Sequence, residues 1–207
     1  MAQIIQIMPI SKIGPCSFKN ALYWTNQQHW DWAVNPNARE KASFLKENIL
    51  PIEASGQLSL IDTPESHFTS SGLLHKESFI KDIDIRFVHG HTEKMMLPQI
   101  SYKGHTIVFM ADLLPSVGHL PLPYVMSYDM FPLTTLHEKK SFLLEAYEKQ
   151  YVLFFEEGRL QRDAALLLHP GPDAGVARGL TGARREVQDV HRRLVDLAAT
   201  LVLDSAV

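Results

Sequence analysis

The 207-residue chain has a single cysteine, Cys16. That excludes an internal disulfide and a thiolate zinc cage. It has no apolar run of about 18 residues, the length a membrane-crossing helix requires. It also has no large charge excess, with a net charge of -3, so charge gives no reason to expect nucleic acid or a membrane surface as partner. The first residues carry apolar side chains at Ile4, Ile5, Ile7, Met8 and Ile10. No basic residue precedes them and no small-residue cleavage site follows, so no secretory signal is expected and the expected compartment is the cytoplasm.

Lysine is missing from residues 158–207, which hold seven arginines, whereas residues 1–157 hold eleven lysines and two arginines. Either cation suits a protein surface, so folding does not demand such a switch. The expected division is a domain over residues 1–157 and an Arg/Ala-rich helical tail over 158–207. Two sequence histories joined near Gly158 would produce it; chance in a short tail is the alternative.

What is present is ordinary for a folded domain: 45% apolar and 21% charged residues. Residues 17–50 read as two helical pieces. The first carries Phe18, Ala21, Leu22, Trp24, Trp30, Trp32 and Ala33. The second runs from Ala38 to about Ile49 and stops before Pro51, with Asn35-Pro36-Asn37 as the break. A short strand is expected at Leu58–Ile61. Ile83, Ile85 and Phe87 alternate with polar residues, a half-buried strand. Met95–Tyr102, a Lys103-Gly104 turn and His105–Ala111 read as a hairpin. Its apolar run Ile107–Met110 implies burial on both faces. A proline-rich loop over Leu113–Pro132 leads to a helix capped by Thr134 or Thr135, with Glu138 near its third position, running to Gln150. Val152–Phe155 is a further strand. In the tail, Val187, Val190, Leu194, Leu197 and Leu201 follow a 3-4-3-4 spacing, an amphipathic helix over 183–203. The order implies an α/β or α+β sandwich.

The residues able to carry chemistry cluster around His89, His91, His105, Asp112 and His119. A histidine after one strand and an aspartate after a neighbouring strand both leave the sheet at its edge. Imidazole and carboxylate are good ligands for a divalent metal. Spacing alone also permits surface or packing histidines. Trp24, Trp30 and Trp32 read as packing residues. No serine lies in a nucleophile elbow.

The segments Phe87-Val-His-Gly-His-Thr-Glu93 and Val108-Phe-Met-Ala-Asp-Leu-Leu-Pro115 carry a resemblance. With the hairpin between them, they resemble the second half of a metallo-β-lactamase-fold hydrolase. Asn20-Ala-Leu-Tyr-Trp24, Arg39-Glu-Lys-Ala-Ser-Phe44 and His119-Leu-Pro-Leu-Pro-Tyr-Val-Met-Ser-Tyr-Asp129 resemble a group of bacterial members of that superfamily. The resemblance implies an αββα-type fold, incomplete in this chain. It implies His91 as a metal ligand and Asp112 as the ligand that bridges two ions, most often zinc. Tyr124, Tyr128 and Asp129 would border the substrate pocket, with His119 beside them.

Two departures accompany it. The family's His-x-His-x-Asp-His string occurs nowhere in the chain, and Glu157 stands where the last ligand histidine is expected. His89, Glu157 and His119 are the candidates for a third ligand. The resemblance implies a hydrolase in which metal-bound hydroxide attacks an ester, lactone, amide or phosphoester, impaired or inactive in this chain. The alternative is a non-catalytic, truncated member acting as a structural module, with residues 183–203 as a surface for pairing between copies.

Overall fold

The computed structural model describes residues 20–61, 74–80, 83–155, 165–167 and 178–179. They fall into two units, residues 20–61 and residues 74–179.

In the first unit, β1 (Tyr23–Asn26) runs directly into α1 (Gln27–Val34). Turns lead to α2 (Lys46–Ala54) and then β2 (Leu58–Ile61). β1 and β2 pair in parallel, with Tyr23 opposite Leu58 and Asn26 opposite Ile61. The expected helix before Asn35 is therefore half strand. Tyr23, Trp24 and Thr25 are aromatic or β-branched and take the extended form once β2 offers a partner. The helix starts instead at Asn26, whose side chain accepts from the His29 N–H at 2.9 Å. The second expected helix is displaced: Ala38–Phe44 forms turns, and α2 runs through Pro51. The proline removes one backbone donor. Ile49 and Ile52, buried with Trp30, Ala33 and Phe44, hold the helix together across it.

The second unit is built on one sheet in the order β3 (Leu74–Ile80), β4 (Ile83–Val88), β5 (Met95–Tyr102), β6 (His105–Phe109), β7 (Val152–Phe154), β8 (Ala165–Leu167) and β9 (Arg178–Gly179). All neighbours are antiparallel except β6 and β7. The β5–β6 hairpin forms where the sequence places it. Lys103 (φ 48) and Gly104 (φ 79) are both left-handed, as a two-residue turn that follows strand twist requires. A parallel β6–β7 pair needs a crossover. It is supplied by short 3-10 turns at Ala111–Leu113 and Val117–His119 and by α3 (Pro132–Glu148).

The expected cap at Thr134 or Thr135 is not used. α3 begins at Pro132, whose fixed φ and missing N–H suit a first helical position. It ends through Gln150 (φ 54), with Tyr151 N–H on the Ala146 carbonyl at 2.9 Å and Gln150 N–H on Tyr147 at 3.3 Å. Phe142 and Ala146 pack on Val88, Leu97, Val108 and Leu153 in the core.

β4 is buried on both faces rather than one. Arg86, inside it, lies over the Phe142 ring at 5.1 Å. It bonds Gln99 Oε1 at 2.7 Å and Glu145 Oε2 at 2.8 Å, tying α3 to the sheet. The composition change near Gly158 and the helix expected over 183–203 lie outside the described residues. Among the described residues no helix is long and apolar enough to cross a membrane.

Candidate metal centre

β4 and β6 each run antiparallel to β5, so their C-terminal ends emerge at the same sheet edge. His91 follows β4 in the turn to β5. Asp112 follows β6 in a 3-10 turn. The residue before it, Ala111, is fully buried with φ 44. A left-handed alanine is strained by about 1–2 kcal/mol, and that strain sits beside a residue of interest.

The two side chains meet: His91 Nε2 lies 3.4 Å from Asp112 Oδ2. On the other side of the ring, His91 Nδ1 lies 2.9 Å from Asp129 Oδ1. An ionised carboxylate only accepts hydrogen bonds, so Nδ1 carries the proton and donates to Asp129. In the neutral ring Nε2 then presents a lone pair toward Asp112. A lone pair facing a carboxylate oxygen calls for a cation between them, either a proton or a metal ion.

Local backbone bonding explains why Asp129 reaches the ring. Met130 N–H donates to the His91 carbonyl at 3.1 Å, and Phe131 N–H to the Gly90 carbonyl at 2.8 Å. The Asp129–Phe131 segment therefore runs alongside the turn. The Asp129 side chain is fully buried, and its second oxygen, Oδ2, has no hydrogen-bond partner among the described residues. Its Oδ1 supports His91.

Gly90 admits the close approach of α3. A Cβ there would overlap the backbone nitrogen, Cα and Oγ1 of Thr135. The Glu138 carboxylate accepts from the His89 N–H at 2.7 Å and the Gly90 N–H at 3.0 Å. Burial pushes the Glu138 pKa up, against those two backbone bonds. Lys139, fully buried, donates to the carbonyls of Pro121 at 2.7 Å, Leu122 at 3.3 Å and Tyr124 at 2.9 Å. Burial lowers its pKa to about 8, against the nearby Asp129 charge.

The remaining predicted residues take other partners. His89 Nδ1 pairs with Glu93 at 3.1 Å, and His119 Nδ1 with Ser116 Oγ at 2.9 Å. Tyr128 stands edge-on to the His91 ring, centroids 5.9 Å apart, and is 57% exposed; Tyr124 is 61% exposed. Glu157 lies outside the described residues. Among the described residues, no group of three or more histidine, cysteine, aspartate or glutamate side chains is placed to hold a metal ion. The pair suits the first two positions of a divalent ion in donor chemistry. It does not complete a catalytic centre, which takes about three protein ligands.

Sequence reasoning missed Glu138 and Lys139. Thr135, Glu138, Lys139, Phe142 and Ala146 form the buried stripe of α3. Two charged residues at core-facing positions of a helix were the available signal, since charges rarely sit there without partners.

No protein-family model and no curated sequence matches the chain. Solved structures do. A "probable metal-dependent hydrolase" from Staphylococcus aureus matches with TM-score 0.62 at 22% identity, over 79% of this chain and 54% of that one. The hydrolase AbOPH of the beta-lactamase superfamily matches with TM-score 0.56 at 16% identity, over 78% and 59%. AidC, a dizinc quorum-quenching lactonase, matches with TM-score 0.51 at 15% identity, over 76% and 54%. The chain thus has the fold of the beta-lactamase-superfamily hydrolases. It spans between half and three fifths of the length of these structures.

Proposed function

We propose that this chain is a metallohydrolase-type domain in which His91 and Asp112 form one half of a divalent metal centre. The reading rests on the approach of His91 Nε2 to Asp112 Oδ2, 3.4 Å apart, with the far side of the ring fixed by Asp129. Zinc is the first candidate by donor chemistry. The donor count among the described residues sets the limit. Two ligands hold an ion weakly, and activating a bound water takes a more complete shell. Hydrolysis of esters, lactones, amides or phosphoesters by the chain on its own is accordingly low or absent. A further donor, Glu157 or a group from another chain, would be needed to raise it. In this reading Tyr128, exposed and edge-on to the His91 ring, and the exposed Tyr124 would border a small-molecule substrate.

Calorimetric titration of metal-free protein with zinc tests the reading. The expected result is one weak site, in the micromolar range or weaker, lost in His91→Ala and in Asp112→Ala. An unchanged isotherm in both variants removes the metal centre. Chelator-sensitive hydrolysis of a generic ester, lactone or phosphotriester that disappears in Asp112→Ala would refute the impairment and leave the centre standing.

A further inference from the structure

We propose that Lys139 is a positioning residue for His91: its ammonium, inserted among the carbonyls of Pro121, Leu122 and Tyr124, anchors the loop that carries Asp129. In doing so it holds the imidazole with Nδ1–H on Asp129 and Nε2 toward Asp112. The consequence for metal binding rests on the function proposed above; the positioning itself does not.

The loop chemistry calls for such a group. Pro121 and Pro123 have no N–H, so the segment holds more acceptors than donors. Within it, Tyr124 N–H reaches the Pro121 carbonyl at 2.9 Å and Val125 N–H the Pro123 carbonyl at 3.1 Å. An ammonium has three donors and no acceptor, and Lys139 directs them at three carbonyls. Burying an ammonium is costly unless its donors are used, so a lysine placed here for packing alone would be a poor choice.

The path to the site is short. Asp129 N–H donates to the Met126 carbonyl at 3.2 Å, closing the loop beyond Tyr124. Asp129 also interacts electrostatically with Lys139, one buried charge offsetting the other. On the adjacent helical position, Glu138 holds the backbone of His89 and Gly90. Neighbouring side chains of α3 thus grip the two segments whose meeting defines the His91 ring orientation. Lys139 holds the other segment, whose residues 121–124 make no backbone hydrogen bond to α3 among the described residues.

Nitrogen NMR of metal-free protein tests this without any metal. In the wild type, the Lys139 ammonium gives a proton-exchange-protected signal with couplings to loop carbonyls, and His91 shows a single tautomer protonated at Nδ1. In Lys139→Met, amide hydrogen exchange at Tyr124, Val125 and Asp129 accelerates about 10-fold or more while β6 is unchanged. His91 then exchanges between tautomers. A wild type without a protected Lys139 signal overturns the proposal even if the variant fails to fold. A folded Lys139→Met that keeps the wild-type His91 tautomer overturns it as well. A separate zinc titration reads the metal centre. Loss of zinc binding in the wild type would refute the proposed function while leaving these NMR outcomes to decide the role of Lys139.

Discussion

Gly90→Ala isolates the contact on which the site's framework turns. The backbone of Gly90 is not left-handed, so alanine meets no conformational penalty there; the obstacle is space. The added methyl overlaps the Thr135 nitrogen, Cα and Oγ1. Two of those three atoms are backbone, so rotating the threonine side chain does not clear the way. The first turn of α3 must retreat from the His89–Gly90 turn by about 1 Å to restore ordinary contact, a change that close-packed interiors resist. Such overpacking costs about 1–3 kcal/mol. The same retreat stretches the bonds from Gly90 N–H and His89 N–H to Glu138 and from Phe131 N–H to the Gly90 carbonyl. Hydrogen bonds to a charged group contribute about 1.5–3 kcal/mol each when lost outright. With partial retention, the summed destabilisation is about 3–4 kcal/mol.

The assay is urea unfolding followed by far-UV circular dichroism. The three tryptophans, Trp24, Trp30 and Trp32, all lie in the first unit, and their fluorescence would report on the wrong part. Gly104→Ala is the control: its Cβ meets open space, and its φ of +79 costs about 1 kcal/mol. Thr135→Ala introduced with Gly90→Ala is expected to restore little, because the backbone atoms remain. A Gly90→Ala protein within 0.5 kcal/mol of wild type (about the scatter of ordinary surface changes), or full rescue by Thr135→Ala, would refute the reasoning.

Other perturbations have directions fixed by the same contacts. Arg86→Met leaves Gln99 and Glu145 without their guanidinium. It should cost about 3 kcal/mol or more in urea unfolding, and less in a Glu145→Gln background. Burial alone would raise the Glu145 pKa, but the bonds from Lys149, Arg86 and Tyr151 bring it below the usual value. Its contribution to stability is therefore present at neutral pH and lost as pH falls through the carboxylate range, and Glu145→Gln should flatten that acid limb. For Lys139, a folded pKa of about 8 against 10.5 means that the native state sheds a proton the unfolded chain keeps. Between those values wild-type stability should rise with pH relative to Lys139→Met, by at most about 1.4 kcal/mol per pH unit. An equal or opposite slope contradicts it.

The sheet was the legible part of the chain. Alternation in Ile83–Phe87, the Lys103-Gly104 turn and the unbroken Ile107–Met110 run each reflect a local period or turn preference. Tertiary context kept these elements in place, although it covers β4 on both faces instead of one. The first unit was less legible because its choices are tertiary. Tyr23–Asn26 becomes a strand only because Leu58–Ile61 pairs with it, and Pro51 sits inside a helix only because Ile49 and Ile52 are buried around it. At the candidate site, strand ends bring His91 and Asp112 together, a relation the order of elements implies. The resemblance implied Asp129 at a pocket border, but its hydrogen bond to Nδ1 was not legible, since that depends on how a proline-rich loop folds back along the turn. Gly90 had a turn's appearance, while its actual constraint, the nearness of α3, involves residues more than forty positions away.

The pair itself should behave unlike the groups that hold it. Glu138, Lys139 and Arg86 use their hydrogen bonds in folding, so removing them costs stability. His91 and Asp112 face each other as lone pair and carboxylate once the ring is neutral, an arrangement that opposes folding until a cation enters. Asp112→Asn keeps the shape and turns one oxygen into an amide that can donate to Nε2. Without metal, and at a pH where the imidazole is neutral, the variant should equal or exceed the wild type in stability by about 1 kcal/mol, the worth of one net hydrogen bond. Saturating zinc should reverse the order, because the ion stabilises only the state that binds it. Melting curves with chelator and with zinc read both halves of the statement. If Asp112→Asn loses more than about 1 kcal/mol in chelator, the carboxylate serves the fold rather than an ion, and the pair is not a metal centre.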